Sequence, residues 1–209
     1  NLIFLGSSCV YPRNCKQPIK ESYLLTGSLE KTNDAYAIAK IAGIKMCESY
    51  NIQYKTNYKC LMPTNTFGPN DHYNALNSHF LPALIKKVHD LKLNNKKELT
   101  LWGNGLAKRE VIYVDDLANA CIFFMKKNFS GTTLNIGTGK DITIMEVAKL
   151  VKEIVGFNGE LFFDISKPEG PPKKIVDTAR MKSYGWSSNT QLKEGLSSTY
   201  EWYSSKLNL

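Results

Sequence analysis

Short apolar runs alternate with longer helical patterns along this chain, and the alternation constrains the fold more than any other feature. Buried strands are predicted at residues 1–6, 58–62, 99–102, 110–114, 133–136 and 160–163. Helices are predicted at residues 35–54, 78–91, 115–127, 143–155 and 192–204. Strands that alternate with helices build a mostly parallel sheet with helices packed on its faces. We therefore expect an α/β protein.

Thr32, Asn33 and Asp34 offer caps for the first predicted helix, and polar residues also stand where two later helices should begin. Asp115 and Asp116 open the third predicted helix, and Thr143 opens the fourth. Side-chain oxygens of aspartate and threonine accept hydrogen bonds from the free N–H groups of a first helical turn. We expect these residues to act as N-caps.

The composition favours an ordinary globular protein. Of the 209 residues, 43% are hydrophobic and 22% are charged, and no apolar run reaches the length of a membrane span. The cysteines are odd in number and include no Cys-x-x-Cys pair, which argues against a disulfide framework, a zinc site or any other metal site. A reducing cytoplasm is the compartment we expect. The cysteines are Cys9, Cys15, Cys47, Cys60 and Cys121.

The formal net charge of +8 permits two kinds of anionic partner. A nucleic-acid binder is one reading, but no basic block or interleaving of aromatic and basic residues is present. Eight of the lysines stand in four scattered pairs that we read as solvated, at 86–87, 96–97, 126–127 and 173–174. A small polyanionic substrate fits this charge better than a nucleic acid.

Tyr36 and Lys40 are the first candidate catalytic pair. Their i, i+4 spacing places both side chains on one face of the predicted helix. A nearby ammonium stabilises a phenolate, which makes a tyrosine a better proton donor. Ser7 follows a strand, and active sites of parallel sheets form at the carboxyl ends of strands. The Tyr-x-x-x-Lys spacing occurs by chance in many helices, so the catalytic interpretation also depends on the position of Ser7 at a strand end.

Several motifs then appear in an order that resembles the extended short-chain dehydrogenases, which act on nucleotide sugars. The resemblance covers nearly the whole chain. Within that superfamily, three stretches are similar to the GDP-L-fucose synthase family: Gly6 to Pro12, Asn33 to Gly43, and Asn77 to His79. The motifs are Gly6-Ser7-Ser8, Tyr36-x-x-x-Lys40, Pro63-Thr64-Asn65-x-x-Gly68-Pro69, the run Arg109 to Asp116, and Asn135-Ile136-Gly137-Thr138-Gly139.

The resemblance implies an NADP(H)-dependent enzyme with a two-step reaction. GDP-4-keto-6-deoxy-D-mannose would be epimerised at C3 and C5 and then reduced at C4 to GDP-L-fucose. Cys9 would act as base and His79 as acid, because inversion needs one group on each face of the sugar. Ser7 would steady the C4 oxygen as negative charge develops there. Tyr36 would protonate that oxygen, with Lys40 tuning Tyr36 and holding the cofactor.

The resemblance also implies binding residues. Lys87, Trp102, Arg109 and Glu169 would hold the GDP part of the substrate. Lys87 stands where the family often has arginine, and lysine lacks the bidentate fork. The turn at 137–139 lacks a third glycine, so we do not read it as the dinucleotide loop. The residues implied to border the cofactor are Leu5, Gly6, Ser7, Ser8, Tyr36, Lys40, Pro63, Thr64, Asn65, Thr66 and His79.

The implied fold is a Rossmann-like doubly wound parallel sheet, present here as its C-terminal part, with a smaller α/β substrate-binding domain. Residues 1–70 would belong to the NADP-binding domain. Residues 71–209 would be mainly substrate-binding, with about 111–138 returning to the Rossmann sheet. The chain opens in mid-strand, so we expect roughly a hundred preceding residues with the glycine-rich loop. We expect this chain alone to be inactive and the full-length protein to be a homodimer.

Three alternatives stay open. A sugar dehydratase or C4-epimerase of the same superfamily would share Tyr36 and Lys40 without needing Cys9 and His79. A non-catalytic sugar-nucleotide or redox-sensing module would need none of these side chains. A nucleic-acid binder would show a steep salt dependence of binding.

Overall fold

Residues 1–73, 78–167 and 170–207 are described by a computed structural model, which divides the chain into two units. The first unit comprises Asn1–Thr66, Glu110–Asp141 and Lys174–Asn189, and the second Phe67–Arg109, Ile142–Lys173 and Thr190–Leu209. The sequence analysis left 174–189 in the substrate-binding region. It lies in the first unit because its backbone bonds to the loop after β1: the N–H of Ile19 donates to the carbonyl of Ile175, and the N–H of Asp177 to that of Ile19.

The elements follow the predicted alternation of strands and helices. The strands are β1 (Leu2–Leu5), β2 (Tyr58–Pro63), β3 (Asn65–Phe67), β4 (Glu98–Trp102), β5 (Lys108–Arg109), β6 (Val111–Tyr113), β7 (Thr133–Ile136), β8 (Ile142–Thr143), β9 (Glu160–Asp164) and β10 (Lys173–Lys174). The α-helices are α1 (Asp34–Tyr54), α2 (Phe80–Leu93), α3 (Val114–Lys126), α4 (Ile144–Val155), α5 (Ala179–Ser183) and α6 (Leu192–Leu207). The predicted α/β class is confirmed. The elements absent from the prediction are α5, the short strands β3, β5, β8 and β10, and short 3-10 helices at Ser8–Val10, Glu21–Tyr23 and Lys31–Asn33.

A parallel sheet in the order β1-β2-β7 forms the centre of the first unit. Successive side chains of a strand point to opposite faces, so β2 contributes to two cores. Cys60 and Met62 pack with Ile41 and Ile44 of α1, whereas Leu61 packs with Phe124 of α3. Helices therefore cover both faces, as expected of a doubly wound sheet.

The helix starts agree with the predicted caps at one of three places, since Asn33 precedes α1 without a side-chain cap hydrogen bond. Thr143 caps α4: its side chain accepts from the N–H of Glu146, whose carboxylate accepts from Thr143 in return. The prediction for Asp115 and Asp116 was wrong, because α3 begins at Val114 with no side-chain cap. Both aspartates lie in the first turn instead, where negative charge favours the positive end of the helix dipole.

The second unit pairs β4 with β9 in parallel and β5 with β8 in antiparallel. Helix α4 contacts both α2 and α6, and α2 contacts β4. These elements bury a separate apolar core that includes Leu84, Ile85, Val88, Leu99, Val147, Val151 and Leu196. The residues that the resemblance assigns to GDP binding therefore lie in a unit with its own apolar core.

A buried histidine joins two helices of the second unit. His89 on α2 is 8% exposed, and its Nδ1 lies 3.0 Å from the hydroxyl of Tyr200 on α6. Burial lowers the pKa of His89, and Lys92 and Lys86 act in the same direction against Asp90. The folded state therefore favours the neutral imidazole.

We expect the free energy of unfolding to fall as the pH drops below the ordinary histidine pKa of 6.5, more steeply than in a His89→Gln variant. The pKa of His89 is lower in the folded protein than in the unfolded chain. Its contribution to stability is therefore present above the unfolded pKa and is lost as the pH falls. Because the folded state binds at most one proton fewer at His89 than the unfolded state, the free energy of unfolding changes by at most about 1.4 kcal/mol more per pH unit. Urea unfolding from about pH 7 to about pH 5 measures the slopes, and equal slopes would contradict the prediction.

Candidate functional site

The carboxyl ends of β1, β2 and β7 share one edge of the first unit's sheet. The register pairs Leu5 with Leu61 and Pro63 with Ile136. The backbone bonds continue past the strands, since the N–H of Thr64 donates to the carbonyl of Ile136 at 3.1 Å. Ligands of parallel α/β sheets bind at this kind of edge. The predicted cofactor residues of β1 and β2 therefore lie together.

Lys40 connects the helix α1 to this edge. Its Nζ donates to the carbonyl of Leu5 at 2.9 Å and lies 5.7 Å from the ring centroid of Tyr36. A side chain at Gly43 would collide with the ring of Phe4, so the glycine permits close packing of α1 on β1. The Tyr36 ring is 49% exposed. The structure thus brings Tyr36 and Lys40 together at the end of β1.

Cys9 lies in the short 3-10 turn Ser8–Val10 directly after this strand end. The hydroxyl oxygen of Ser7 accepts from the backbone N–H of Cys9 at 3.2 Å. The Nζ of Lys174 lies 3.4 Å from the Cys9 sulfur. Burial alone would raise the pKa of the Cys9 thiol, but the Lys174 ammonium and side-chain hydrogen bonds from Ser7, Lys174 and Asn33 lower it below the ordinary value.

The loop that carries Cys9 is fastened to β7 by Asn135, which is fully buried. The Asn135 Oδ1 accepts from the hydroxyl of Tyr11 at 2.6 Å, and its Nδ2 donates to the carbonyl of Ile19 at 2.9 Å. Its backbone N–H donates to the carboxylate of Glu21 at 3.0 Å. Buried polar groups that are fully bonded in this way specify one arrangement. Asn135 therefore fixes the loop that follows Cys9 to strand β7.

Among the predicted cofactor residues after β2, Thr64 has a side-chain hydroxyl that could still form a hydrogen bond. Thr64 is buried, and its hydroxyl has no partner within the described part of the chain. Asn65 donates through Nδ2 to the carbonyl of Glu110 at 3.0 Å, and the Thr66 hydroxyl bonds the Thr64 carbonyl at 3.4 Å. Buried polar groups rarely stay unpaired. The Thr64 hydroxyl is therefore suited to a bound polar group, such as a cofactor amide.

Glu110 is a buried carboxylate to which the sequence analysis gave no role. It is fully buried and accepts from the N–H groups of Gly139, at 2.7 Å, and Val176, at 2.8 Å. Burial raises its pKa to about 6, although these bonds and two from Thr138, through its backbone and its side chain, act in the opposite direction. The segment at 137–139 is a turn, as predicted, and Glu110 holds it.

In the second unit, α2 and β4 position three predicted residues. His79 is exposed and precedes the first turn of α2. Lys87 lies on α2 and donates through Nζ to the carbonyl of Thr100 on β4 at 2.6 Å. Trp102 ends β4 with 64% of its surface exposed. Lys87 and Trp102 are thus joined through one strand, and the Trp102 ring is accessible for stacking.

Arg109 reaches a different segment of the second unit. Its Nη1 donates to the carbonyls of Lys108, at 2.8 Å, and Pro171, at 2.6 Å. A side chain added at Gly170 would meet the guanidinium. The predicted residue Glu169 lies outside the described residues. Arg109 therefore supports the backbone around 170–172.

Lys174 and Asn33 are the contacts of Cys9 that the sequence analysis missed. Lys174 was read as one of several solvated lysines, whereas the structure places it half-buried against the sulfur. Asn33 was expected only near a helix start. Lys174 lies 165 positions from Cys9, so no local pattern could have indicated the contact.

Three general features complete the description of the site. All five cysteines carry free thiols. Within residues 1–73, 78–167 and 170–207, no group of three His, Cys, Asp or Glu side chains could hold a metal ion. Across the same ranges, no helix combines the length and apolar character that crossing a bilayer requires.

Comparisons with known proteins show the family to which the chain is similar. A model of the NAD dependent epimerase/dehydratase family matches residues 1–137. GDP-L-fucose synthase 1 of Arabidopsis thaliana is 51% identical over 202 residues, which are 97% of this chain and 62% of that protein. GDP-L-fucose synthase of Escherichia coli is 46% identical, over 97% of this chain and 66% of that protein. The chain thus spans about two thirds of these relatives.

A solved structure extends the likeness to three dimensions. The GDP-L-fucose synthetase of Naegleria fowleri bound to NADP superposes with a TM-score of 0.93 at 27% identity, over 99% of this chain and 66% of that one. The resemblance inferred from the motifs is confirmed by these relatives. The chain belongs to the NAD dependent epimerase/dehydratase family.

Proposed function

We propose that the complete protein uses NADPH to convert GDP-4-keto-6-deoxy-D-mannose to GDP-L-fucose, by epimerisation at C3 and C5 and then reduction at C4. The observation that carries the proposal is the position of Cys9 at a strand end, with the Nζ of Lys174 3.4 Å from its sulfur and its backbone N–H bonded to the hydroxyl oxygen of Ser7. Tyr36 and Lys40 lie at the same strand end. The relatives at 51% and 46% identity support the substrate through their names.

The epimerisation follows from the acidity of protons beside a ketone. The Cys9 thiolate removes the proton at C3 or C5, and the released electron pair moves to the C4 oxygen. The Ser7 hydroxyl donates a hydrogen bond to that oxygen as negative charge develops. A proton returned to the opposite face inverts the centre. We assign this return to His79 on the resemblance, because imidazole exchanges protons near neutral pH.

The reduction needs a proton at the C4 oxygen. NADPH, when bound, supplies the hydride to C4. Tyr36 donates its phenolic proton to the oxygen in the same step, acting as a general acid. Lys40 provides a positive charge beside the phenol and is itself oriented by the carbonyl of Leu5.

We propose that NADP(H) binds along the carboxyl edge of the first unit's sheet. The residues that hold it by resemblance follow β1 and β2 and lie on α1, with His79 implied as well. The unpaired Thr64 hydroxyl supports this assignment because it offers a buried hydrogen bond. The NADP in the solved Naegleria fowleri relative supports the choice of cofactor.

The GDP part of the substrate is assigned to the second unit. Arg109 carries a fixed positive charge suited to a diphosphate, and Trp102 an exposed ring suited to stacking. Lys87 keeps the charge of the arginine common in the family but not its two-pronged geometry. Glu169 stays a candidate on the resemblance alone.

We propose that the complete protein is a cytoplasmic homodimer. A catalytic thiolate requires a reducing compartment, since oxidation would consume it. Helix α1 carries Ile38, Met46 and Ile52, each more than half exposed, which suits helix packing between two copies. Sedimentation that shows only monomers at micromolar concentration would contradict the dimer.

The complete protein, incubated with NADPH and the 4-keto sugar nucleotide, should release GDP-L-fucose, whose stereochemistry NMR identifies. A product reduced at C4 without inversion would identify a reductase, and an oxidised or dehydrated product another enzyme of the superfamily. Binding without turnover would identify a non-catalytic module.

A further inference from the structure

Lys174 provides a positive charge at the group on which the proposed epimerisation depends. Its Nζ donates to the Cys9 sulfur at 3.4 Å. Lys174 is the charged group that acts on this thiol, and the other contacts are neutral donors from Ser7 and Asn33. An ammonium next to a sulfur favours the thiolate over the thiol. Lys174 therefore bears on how well Cys9 can act as a base.

The backbone around Lys174 is fixed on both sides. Its carbonyl accepts from the N–H of Glu110 at 3.2 Å. The N–H of Ile175 donates to the side chain of Gln17 at 2.9 Å, and the Ile175 carbonyl accepts from Ile19 at 2.8 Å. Gln17 and Ile19 belong to the same loop as Cys9. The lysine and the cysteine thus stand on segments that are bonded to each other.

The neutral donors cannot replace this charge during the reaction. A serine hydroxyl has one proton to donate, and the proposed mechanism directs the Ser7 proton to the C4 oxygen of the sugar. The thiolate then keeps Asn33 and Lys174. A hydrogen bond to a charged donor is roughly twice as strong as one between neutral groups. Lys174 is therefore the main stabiliser of the anion at that moment.

We propose that Lys174 is a positioning residue that maintains Cys9 as the thiolate base between successive proton transfers. The sulfur takes a carbon-bound proton and becomes a thiol, and it then releases that proton to water. The fixed ammonium favours this release, so the same sulfur serves C3 and C5 in turn. The catalytic part of this inference rests on the proposed function.

The test measures thiolate formation in the complete protein without substrate. Iodoacetamide alkylates thiolates, and peptide mass spectrometry separates Cys9 from the other cysteines. Lys174→Met should lower the alkylation rate of Cys9 at neutral pH by about tenfold or more and move the rate profile to higher pH. Lys174→Arg should keep the wild-type profile. Lys16→Met removes an exposed lysine of the same unit and should leave it unchanged.

A second variant separates charge from packing. Lys174→Gln keeps an N–H donor but lacks the charge. It should shift the alkylation profile of Cys9 as Lys174→Met does. If the methionine variant does not fold, Lys174→Gln provides the test. A wild-type alkylation profile in Lys174→Gln would overturn the proposal.

The reaction itself gives an independent measurement. Deuterium entry at C3 and C5 from heavy water should fall about tenfold in Lys174→Gln and recover at higher pH. If wild-type protein incorporates no deuterium, the proposed function fails, while the alkylation result still decides what Lys174 does to the thiol. Unchanged deuterium entry in Lys174→Gln would overturn the catalytic role.

Discussion

Replacing Tyr36 by phenylalanine should slow reduction of the C4 ketone by about 10²–10⁴-fold, the range that a positioned general acid contributes. Deuterium exchange at C3 and C5 should stay within about tenfold of wild type. The exchange step needs a base at carbon, and the Ser7 hydroxyl is the donor assigned to the developing oxyanion, so Tyr36→Phe removes no proton that this step requires. The contacts fit this division, since Lys40 lies beside the Tyr36 ring and bonds the Leu5 carbonyl, whereas Ser7 bonds the backbone of Cys9.

The matched variant is Cys9→Ser, which should produce the reverse pattern. A serine hydroxyl is far less acidic than a thiol, so proton removal at C3 and C5 should fall by about 10²–10⁴-fold. The ketone can still accept hydride, because Tyr36 and Lys40 are intact. NADPH consumption measures reduction, and NMR of the product in heavy water measures exchange. A parallel loss of both steps in Tyr36→Phe would show that the tyrosine mainly holds the cofactor.

The periodic elements were predictable because burial repeats with a local period. Strand β2 reads as an apolar run in the sequence, and all its residues after Tyr58 are buried in the structure. Thr143 was predictable as a cap because its motif with Glu146 lies within four residues. Two-residue strands such as β5 and β8 are too short to show any period, and only their partners define them.

The site was predictable where the chemistry lies in one segment. Tyr36 and Lys40 share a helix face, and Ser7 and Cys9 share a turn. Lys174 and Asn135 required distant partners: Lys174 meets a sulfur 165 residues away, and Asn135 meets a tyrosine 124 residues away. Neither a charge pattern nor a spacing encodes such pairs. The scattered-lysine reading was therefore reasonable from the sequence and wrong for Lys174.

Lys59 shows the same limitation in the core of the first unit. The strand prediction included it, but a lysine at that place has no apolar or catalytic meaning in the sequence. In the structure it is 3% exposed on β2, and its Nζ donates to the carbonyls of Phe124 and Lys127, each at 2.8 Å, and of Met125 at 3.3 Å. The ammonium thus bonds the free carbonyls at the end of α3.

We expect Lys59→Met to lower the free energy of unfolding by about 3–4 kcal/mol, because methionine fills similar volume but leaves these carbonyls without a donor. Burial lowers the pKa of Lys59, because it removes the ammonium from water at a desolvation cost. Lys126→Met removes an exposed lysine from the last turn of the same helix and should cost less than about 1 kcal/mol, the usual size of a dipole interaction. Urea unfolding of both variants gives the comparison.

If the two losses are equal, Lys59 contributes only a general charge near α3. A large loss confined to Lys59→Met would assign the stability to the directed hydrogen bonds, and hydrogen exchange should then be fastest at the amides of the last turn of α3.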